Sequence, residues 1–388
     1  MPRLTRNSWW PNLLIAIVAV GITLLAAEGV LRWTWSTEKV TLVHDPLLGF
    51  RGRSSAQTIW HREMFGHPRM VTLNEAGFHD HPRDGQPTPG TKRLVFLGDS
   101  FLEAYQVEVD SSFAQRLARR LSDESQEGNT QVGNIEAVNL GVHGYGLGVY
   151  ALQASQRLAA WHADGVVLCL FLGNDLHDNF APIASPAVPR FAIIEGSLVE
   201  SPVPARGLRV WLRDEVLARS SLGRWIWLRV IKSSGSAMAI ARAAGMVSTP
   251  DLARHAAGQH RHMLEVGARL LERLIDDLQK QSLHLHVLVI PDPFLVHDLA
   301  QQQRGIGTVA TNDERFATEA MVEHVLKRKG VTSTWLRERF VEANLDGSGV
   351  YRHGFGHFTD AAHPLVAKWL AEPVSQLLNL MPVTTPLD

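Results

Sequence analysis

Apolar residues follow two patterns that alternate along residues 93–380 of the chain. Short continuous apolar runs predict buried strands over Arg93–Leu97, Glu136–Leu140, Gly165–Leu172 and Leu283–Ile290, with a fifth strand near Val331–Leu336. Apolar residues spaced three or four apart predict helices over Ser112–Leu121, Val149–Ala163, about Asp251–Gln281, roughly Asp313–Lys329 and Leu365–Leu380. Strands that alternate with helices predict a three-layer α/β/α fold around a central parallel sheet of about five strands.

The N-terminal part of the chain contains a separate apolar segment. No charged residue occurs from Trp9 to Ala27, and this run has about the length needed to cross a bilayer. Tryptophans flank the run on both sides, as is typical of the membrane interface. We therefore predict a membrane anchor over residues 1–39, with a transmembrane helix at about 10–31.

The charges around this run predict its orientation. Arg3 and Arg6 precede it and favour an N-terminus in the cytoplasm, with the rest of the chain extracytoplasmic, in the periplasm or on the cell surface. A cleaved signal peptide is the competing interpretation. Because no Ala-x-Ala cleavage site follows the run, a retained single-pass anchor is favoured.

Two further segments lack the alternating pattern. Residues 40–92 are rich in proline, glycine and histidine and are expected to form an irregular lead-in to the domain over 93–380. Residues from about 180 to 250 are predicted to form an insertion between the third and fourth strands. Within it, Arg224–Lys232 mixes basic and aromatic residues, which suits either a lid or membrane-surface helix, or a helix packed on the domain. The packed helix is favoured because the segment has no clean two-faced pattern.

Charge and composition argue against nucleic-acid binding and against a metal or cofactor site. The net charge of −1 provides no field that would recruit nucleic acid. The single cysteine, Cys169, lies in an apolar run and is expected to be a buried small hydrophobe. The pair His79 and His81 is expected in a solvated loop, and the pair His284 and His286 in a strand. Because no carboxylate cluster accompanies either pair, both are interpreted as structural, and we expect neither a metal nor a cofactor.

Three successive strand ends carry residues that suit acyl transfer. Ser100 follows the first predicted strand, Gly144 the second and Asn174 the third. Ligands of parallel sheets bind beyond the carboxyl ends of the strands, so these residues should meet at one edge. A serine there can attack a carbonyl carbon when a base activates it, and a glycine N–H and an asparagine amide can bind the oxyanion. The Gly-Asp-Ser turn alone would indicate only a helix cap.

These segments resemble the SGNH hydrolases, also called GDSL-like esterases. Gly98–Ser100 is similar to the family's first block with its nucleophilic serine, Gly144 to the oxyanion glycine of the second block and Asn174 to the oxyanion asparagine of the third. The resemblance covers about Arg93–Leu380, with the blocks in family order, and it implies a flavodoxin-like SGNH hydrolase fold. Asn74–Phe78 is also similar to a lead-in of membrane-anchored bacterial members.

The fourth block departs from the family pattern, which places an aspartate two or three residues before the histidine base. Alignment to anchored members makes His357 the base, yet the acid positions hold Gly354 and Phe355. A literal Asp-x-x-His occurs at Asp360 and His363, but it leaves little loop before the last helix. His357 is the favoured base, with a backbone carbonyl able to hold its tautomer, and Asp360 with His363 is the alternative pair.

The resemblance implies a serine esterase that hydrolyses an O-acyl, chiefly an O-acetyl, ester. An anchored extracytoplasmic member would act on an acylated small molecule or on cell-envelope or exported carbohydrate, by analogy with the family. One alternative is an O-acyltransferase that uses the same site. The other is a non-catalytic glycan-binding or assembly protein of the same fold, which the missing acid of the fourth block motivates.

Overall fold

The structure is a computed structural model. It describes residues 9–34, 41–60, 69–83, 85–87, 89–127, 134–181, 184, 187–205, 207, 211, 220–226, 257–310, 313–343, 345, 347–351 and 356–378. The strands are β1 (Leu42–Asp45), β2 (Gly49–Gly52), β3 (Gln57–Trp60), β4 (Arg69–Thr72), β5 (Lys92–Leu97), β6 (Ile135–Asn139), β7 (Gly165–Phe171), β8 (Arg190–Ile194), β9 (Ser197–Ser201), β10 (His284–Ile290) and β11 (Thr332–Trp335). The helices are α1 (Trp9–Thr34), α2 (Ser100–Glu103), α3 (Phe113–Glu127), α4 (Leu147–Gln156), α5 (Ser221–Ile226), α6 (Ala257–Lys280), α7 (Pro293–Gln303), α8 (Glu314–Lys329), α9 (Leu336–Glu342), α10 (Gly347–Val350) and α11 (Ala362–Leu377).

A five-stranded parallel sheet forms the centre of the fold, in the order β11–β10–β7–β5–β6. Numbered along the chain, this is the 2-1-3-4-5 order of flavodoxin-like doubly wound folds. The three-layer fold with its parallel sheet is therefore confirmed, and each predicted strand agrees with the observed one to within one residue at either end. The strand order reverses between β5 and β7, where such folds open a crevice for ligands.

Residues of the sheet alternate between two hydrophobic cores. Leu94 and Phe96 of β5 join the core that α3, α9 and α11 cover, whereas Val95 and Leu97 join the core that α4, α6 and α8 cover. Cys169 is buried in the first of these cores, as its apolar run predicts. Burial on both faces explains why the strands read as continuous apolar runs rather than as an alternation of polar and apolar residues.

Some helices differ from their predicted bounds. The last helix begins at Ala362, ahead of the predicted Leu365, and Pro364 falls in its first turn, where a missing N–H leaves no helical hydrogen bond unmade. Helix α7 was not apparent from the apolar spacing. Asp292 caps it by accepting hydrogen bonds from the backbone N–H groups of Phe294 and Leu295, at 2.7 and 3.1 Å.

The lead-in is more regular than its composition indicated. Two antiparallel hairpins, β1–β2 and β3–β4, replace part of the expected irregular segment. Their strands are only four residues long, too short for a visible two-residue alternation. Gly52 and Gly77 bring two backbone segments of the lead-in so close that a Cβ on either would overlap the other.

The predicted solvated loop at His79 and Asp80 is in fact buried, which corrects the expectation. The Asp80 carboxylate accepts hydrogen bonds from the Asn139 backbone N–H of β6 at 3.1 Å and from the Gln115 amide of α3 at 2.6 Å. His79 Nδ1 donates to the carbonyl oxygen of Glu103 at 2.8 Å. The lead-in is thereby bound to β6, to α3 and to the short helix α2.

The chain divides into two compact units. One comprises residues 1–40 and 206–248, and the other comprises residues 41–205 and 249–388. Helix α1 of the first unit is long and apolar enough to cross a membrane, a test that a signal sequence would also pass. The predicted insertion begins in the second unit, where β8 and β9 form a hairpin, and continues into the first. Its residues 227–250 lie outside the described residues.

Candidate active site

Ser100 begins helix α2, directly after the turn that ends β5. Asp99 caps this helix, and its Oδ1 accepts a hydrogen bond from Phe101 N at 2.9 Å. A Cβ on Gly98 would approach the Leu102 side chain to 2.9 Å, so the turn requires glycine. The half-buried Ser100 hydroxyl lies 3.4 Å from Asp99 Oδ2. The turn therefore presents a serine hydroxyl at the carboxyl edge of the sheet.

Gly144 lies in the loop that follows β6. The Asn139 side chain ties this loop to α2, because its Oδ1 accepts from Gly141 N at 2.8 Å while its Nδ2 donates to Leu102 O at 2.8 Å. Gly144 has a φ of 79°, in the left-handed region that favours glycine. The loop thus carries an exposed glycine backbone beside the helix that begins with Ser100.

Asn174 lies in the turn that follows β7. Its Nδ2 donates a hydrogen bond to Asp178 Oδ2 at 2.6 Å. Its Oδ1 has no hydrogen-bond partner among the described residues. Because an asparagine amide carries two N–H bonds, Asp178 engages one of them and sets the direction of the other. Asp178 therefore orients the candidate oxyanion donor.

Buried carboxylates accept hydrogen bonds from the backbone at these turns. Asp175 is fully buried, and it accepts hydrogen bonds from Phe171 N at 2.7 Å and from the Tyr150 hydroxyl at 3.1 Å. Burial, together with the nearby Asp99 carboxylate, raises the pKa of Asp175 well above its ordinary value. Burial also raises the pKa of Asp99 and that of Asp178 to about 7 each. Burial thus disfavours the charged forms of these three carboxyl groups.

His357 lies beside α2. Its ring centre is 5.4 Å from the ring of Phe101, the residue that follows Ser100, and 6.4 Å from the ring of Trp60 on β3. The imidazole is half-buried. Aromatic contacts thus hold one candidate base against the residue that follows the candidate nucleophile. The two acid positions of the resembled fourth block, Gly354 and Phe355, lie outside the described residues.

The alternative pair has a different environment. His363 is fully buried, its Nδ1 accepts a hydrogen bond from Phe113 N at 3.2 Å, and its ring stacks on the Phe113 ring at 5.9 Å. Asp360 lies exposed on the turn before α11. The imidazole thus packs against the start of α3 while its proposed acid faces solvent. This arrangement favours a packing role for His363.

A second imidazole lies between Ser100 and Gly144 in the chain, and sequence reasoning did not identify it. His143 Nδ1 donates to both carboxylate oxygens of Glu103, at 2.8 and 3.0 Å. The Glu103 side chain is 5% exposed, whereas that of His143 is 39% exposed. The Tyr105 ring lies 5.9 Å from the His143 ring and 5.5 Å from the Trp60 ring. A rim of rings therefore runs from His143 towards His357.

A cavity of about 200 Å³ opens at the carboxyl ends of β7 and β10. It adjoins the site through Gly173, the residue before Asn174. The residues that line it include the polar side chains of His177, His260, Glu314 and Thr318. Such side chains can exchange hydrogen bonds with a substrate that carries several hydroxyl groups.

His81 and His286 have hydrogen-bond partners within the protein. His286 is buried and shares hydrogen bonds with the hydroxyls of Thr332 at 2.8 Å and Thr334 at 2.9 Å, and burial lowers its pKa to about 4. His81 Nε2 bonds Asp110 at 3.0 Å. Within the described part of the chain, no group of three or more histidine, cysteine, aspartate or glutamate residues could hold a metal ion.

Comparison with known proteins returned similar structures only. No family model and no curated protein matches the chain. A lipolytic protein of the G-D-S-L family from Desulfitobacterium hafniense shares 10% identity over 72% of this chain and 98% of its own, with a TM-score of 0.36. A catalytic mutant of the acetylxylan esterase Axe2 from Geobacillus stearothermophilus shares 12% identity over 76% of this chain and 97% of its own, with a TM-score of 0.40. A lipase/acylhydrolase from Enterococcus faecalis shares 10% identity over 76% of this chain and 100% of its own, with a TM-score of 0.40. Likeness of this degree assigns no activity, which has to come from the site itself.

Proposed function

We propose that the chain is a membrane-anchored serine esterase that hydrolyses O-acyl esters, with Ser100 as its nucleophile. The observation that carries the proposal is the position of Ser100, Gly144 and Asn174. They follow three neighbouring strands, β5, β6 and β7, at the carboxyl edge of the sheet and around its switch point. A hydroxyl, a glycine backbone and an oriented amide in that crevice are the groups that acyl transfer needs.

The proposed reaction has two stages. Ser100 Oγ attacks the ester carbonyl carbon while His357 takes the hydroxyl proton. The backbone N–H groups of Ser100 and Gly144 and the Asn174 amide bind the oxyanion of the tetrahedral intermediate. Collapse expels the alcohol, which receives the proton from His357, and leaves an acyl-enzyme. Water then attacks this ester with His357 again as base, releasing the carboxylic acid.

The hydrogen bond between Asn174 and Asp178 supports this assignment. An oxyanion donor acts through preorganisation, because its direction is set before charge develops. Asp178 holds one N–H of Asn174 and leaves the other to meet the oxyanion. Asp178 is therefore proposed as a positioning residue that acts through Asn174.

The contrast between His357 and His363 supports His357 as the base. His357 lies against Phe101, next to the nucleophile, whereas His363 lies in the core with Nδ1 already accepting from Phe113 N. A general base must reach the nucleophile, and it must be able to gain a proton. His357 is half-buried, whereas His363 is fully buried.

We propose an O-acetyl ester of a carbohydrate in the cell envelope or of an exported carbohydrate as the substrate. The cavity beside Asn174 suits a hydroxyl-rich alcohol portion because its lining includes His177, His260 and Thr318. The proposed extracytoplasmic location, which follows from Arg3 and Arg6 ahead of the apolar helix, gives access to such polymers. A C-terminal alkaline phosphatase fusion should be active in cells. Activity only of a cytoplasmic reporter at that position would contradict the proposed topology.

Hydrolysis of a short acetyl ester by the full-length chain tests the function. Ser100→Ala should reduce kcat/KM by roughly a thousandfold or more. Ser155→Ala is a matched control, because its hydroxyl bonds only the Leu152 carbonyl of its own helix α4, at 3.3 Å. Equal rates for the wild type and Ser100→Ala would contradict the esterase.

A further inference from the structure

Glu28 is the one acidic residue of the apolar helix α1, and it has a defined set of partners. Its carboxylate accepts hydrogen bonds from Ser220 Oγ at 2.8 Å, from Ser221 N at 2.9 Å and from Leu222 N at 2.8 Å. Arg32, one turn further along α1, also bonds it, at 2.7 Å. Only 17% of the Glu28 side chain is exposed.

These partners explain how an acidic residue can occupy this helix. A carboxylate inside a membrane segment is costly unless it faces protein groups that bond it. The remainder of α1 has no buried residue, so its other side chains are free to face lipid. Glu28 instead satisfies the unpaired N–H groups at the start of α5, as a capping carboxylate does. Helix α5 of the insertion thus begins in contact with α1.

The position of Glu28 along α1 gives the level of this contact in a membrane. At about 1.5 Å per residue, the uncharged run from Trp9 to Ala27 is about 28 Å long, close to the roughly 30 Å of a hydrocarbon core. Glu28 follows this run directly and therefore lies at its edge. The start of α5 lies at the same level, because its N–H groups bond the Glu28 carboxylate.

Exposed aromatic and aliphatic side chains gather in the same unit. Trp33 is 88% exposed, Trp211 is 43% exposed, and Trp225 and Ile226 of α5 are 37% and 40% exposed. Tryptophan is enriched where a bilayer meets water, since its ring is apolar and its N–H is polar. The sequence from Arg224 to Lys232 also contains three basic residues, which are attracted to anionic head groups.

We propose that α5 is a second membrane element, docked on the anchor by Glu28 and in contact with the bilayer surface through Trp225 and Ile226. This inference rests on the anchor part of the proposed function and not on its chemistry. Residues 206–248 group with the anchor, so the second unit is joined to the membrane-bound unit at three points of the chain instead of one.

An environment-sensitive fluorophore at position 225 tests this contact in the full-length chain. Trp225→Cys is labelled with a nitrobenzoxadiazole maleimide and reconstituted into vesicles of phosphatidylcholine and phosphatidylglycerol, with the unsubstituted chain as a blank because Cys169 is buried. We expect blue-shifted emission and strong quenching by lipids with a nitroxide near the head group. Quenching no greater than in lipid-free detergent would overturn the proposal.

Substitutions at the contact then test the role of Glu28. Glu28→Leu should at least halve the quenching, whereas Arg32→Gln, which leaves the carboxylate in place, should keep most of it. The pair Ser220→Ala with Ser221→Pro removes two donors from the other side, and proline is tolerated at the first position of a helix. Unchanged quenching in both Glu28→Leu and the double variant would contradict docking by Glu28.

Two measurements on the same vesicles separate this inference from the proposed function. Release of the chain by alkaline carbonate would contradict the anchor and hence the inference. Loss of ester hydrolysis with full quenching would contradict the proposed chemistry alone.

Discussion

The amide of Asn174 has two hydrogens, and their uses differ. One meets Asp178 Oδ2 at 2.6 Å, and under the proposed function the other binds the oxyanion. Asn174→Ala should lower kcat about a hundredfold, because it removes one oxyanion donor. Asp178→Ala should lower kcat about tenfold with little change in KM, because the donor remains but loses its direction. Asp178→Asn should restore kcat to within about threefold, since its own carbonyl oxygen can accept from Asn174.

Steady-state kinetics with an acetyl ester measures these three effects. A structural role alone would lower the folded fraction and leave kcat per folded molecule unchanged. Equal kcat for Asp178→Ala and the wild type would contradict the positioning role of Asp178.

The raised pKa of Asp178 makes a separate prediction about stability. Burial raises this pKa from its ordinary value of 3.8 to about 7, so between about pH 4 and pH 7 the folded state holds a proton that the unfolded chain has lost. Stability therefore falls as pH rises through this window. Asparagine does not titrate, so the Tm of Asp178→Asn relative to the wild type should be higher at pH 8 than at pH 4, by about 2–4 °C. Thermal unfolding at the two pH values measures this. The same difference in Tm between Asp178→Asn and the wild type at pH 4 and at pH 8 would contradict an unfavourable buried charge on Asp178.

The two histidines near the C-terminus should respond differently to alanine. His357→Ala should lower kcat a thousandfold or more at unchanged Tm, because it removes the base. His363→Ala should lower Tm, since it removes a buried ring and the acceptor of Phe113 N, while kcat per folded molecule stays within about threefold. Asp360→Ala should leave both unchanged. Thermal melts paired with kinetics decide the matter, and the reverse ranking would move the base to His363.

At this scale the sequence predicted that three candidate site residues lie in order at strand ends. Ser100, Gly144 and Asn174 could be placed because parallel strands share one carboxyl edge. Asp178 was missed although it lies close to Asn174 in the chain, because only the turn after β7 shows that the two side chains meet. His143 and Glu103 pair across many intervening residues, and no spacing in the sequence reports such a contact.

At the scale of elements, strands and long helices of the sheet were predictable because both sheet faces are buried and apolar. The lead-in was not, since its hairpins consist of four-residue strands. Its attachment depends on polar contacts made by Asp80, which local composition cannot show. The contact of α5 with the anchor likewise includes a carboxylate, Glu28, which accepts hydrogen bonds from Ser221 N and Leu222 N.

The attachment of the lead-in predicts a strong effect at Asp80. Asp80→Ala should destabilise the fold by about 3 kcal/mol, because Gln115, Arg83 and the Asn139 N–H all lose their buried acceptor. Glu75→Ala, at an exposed position of the same lead-in, is the matched control and should change stability by less than about 0.5 kcal/mol. Chemical unfolding measures the free energy of unfolding of both variants, and equal values would contradict the attachment of the lead-in by Asp80.

At the scale of the whole molecule, the chain consists of an apolar helix with its associated segment and an α/β unit that carries the candidate site. The sequence predicted the helix from its length and lack of charge, and the α/β unit from the alternation of strands and helices. Both signals come from burial in an apolar medium, either lipid or protein core. The identity of the substrate leaves no such signal, because under the proposed function it depends on a few polar side chains around the cavity at the ends of β7 and β10.

The central claim is that Ser100 is an activated nucleophile, and covalent labelling with a fluorophosphonate probe tests it most directly. The probe forms a stable phosphonyl ester only with a serine whose hydroxyl is activated beside an oxyanion site. We predict one adduct per chain, mapped by peptide mass spectrometry to Ser100, no adduct in Ser100→Ala and full labelling in Ser155→Ala. A folded wild-type chain that takes up no probe, or labelling that persists in Ser100→Ala, would contradict the account.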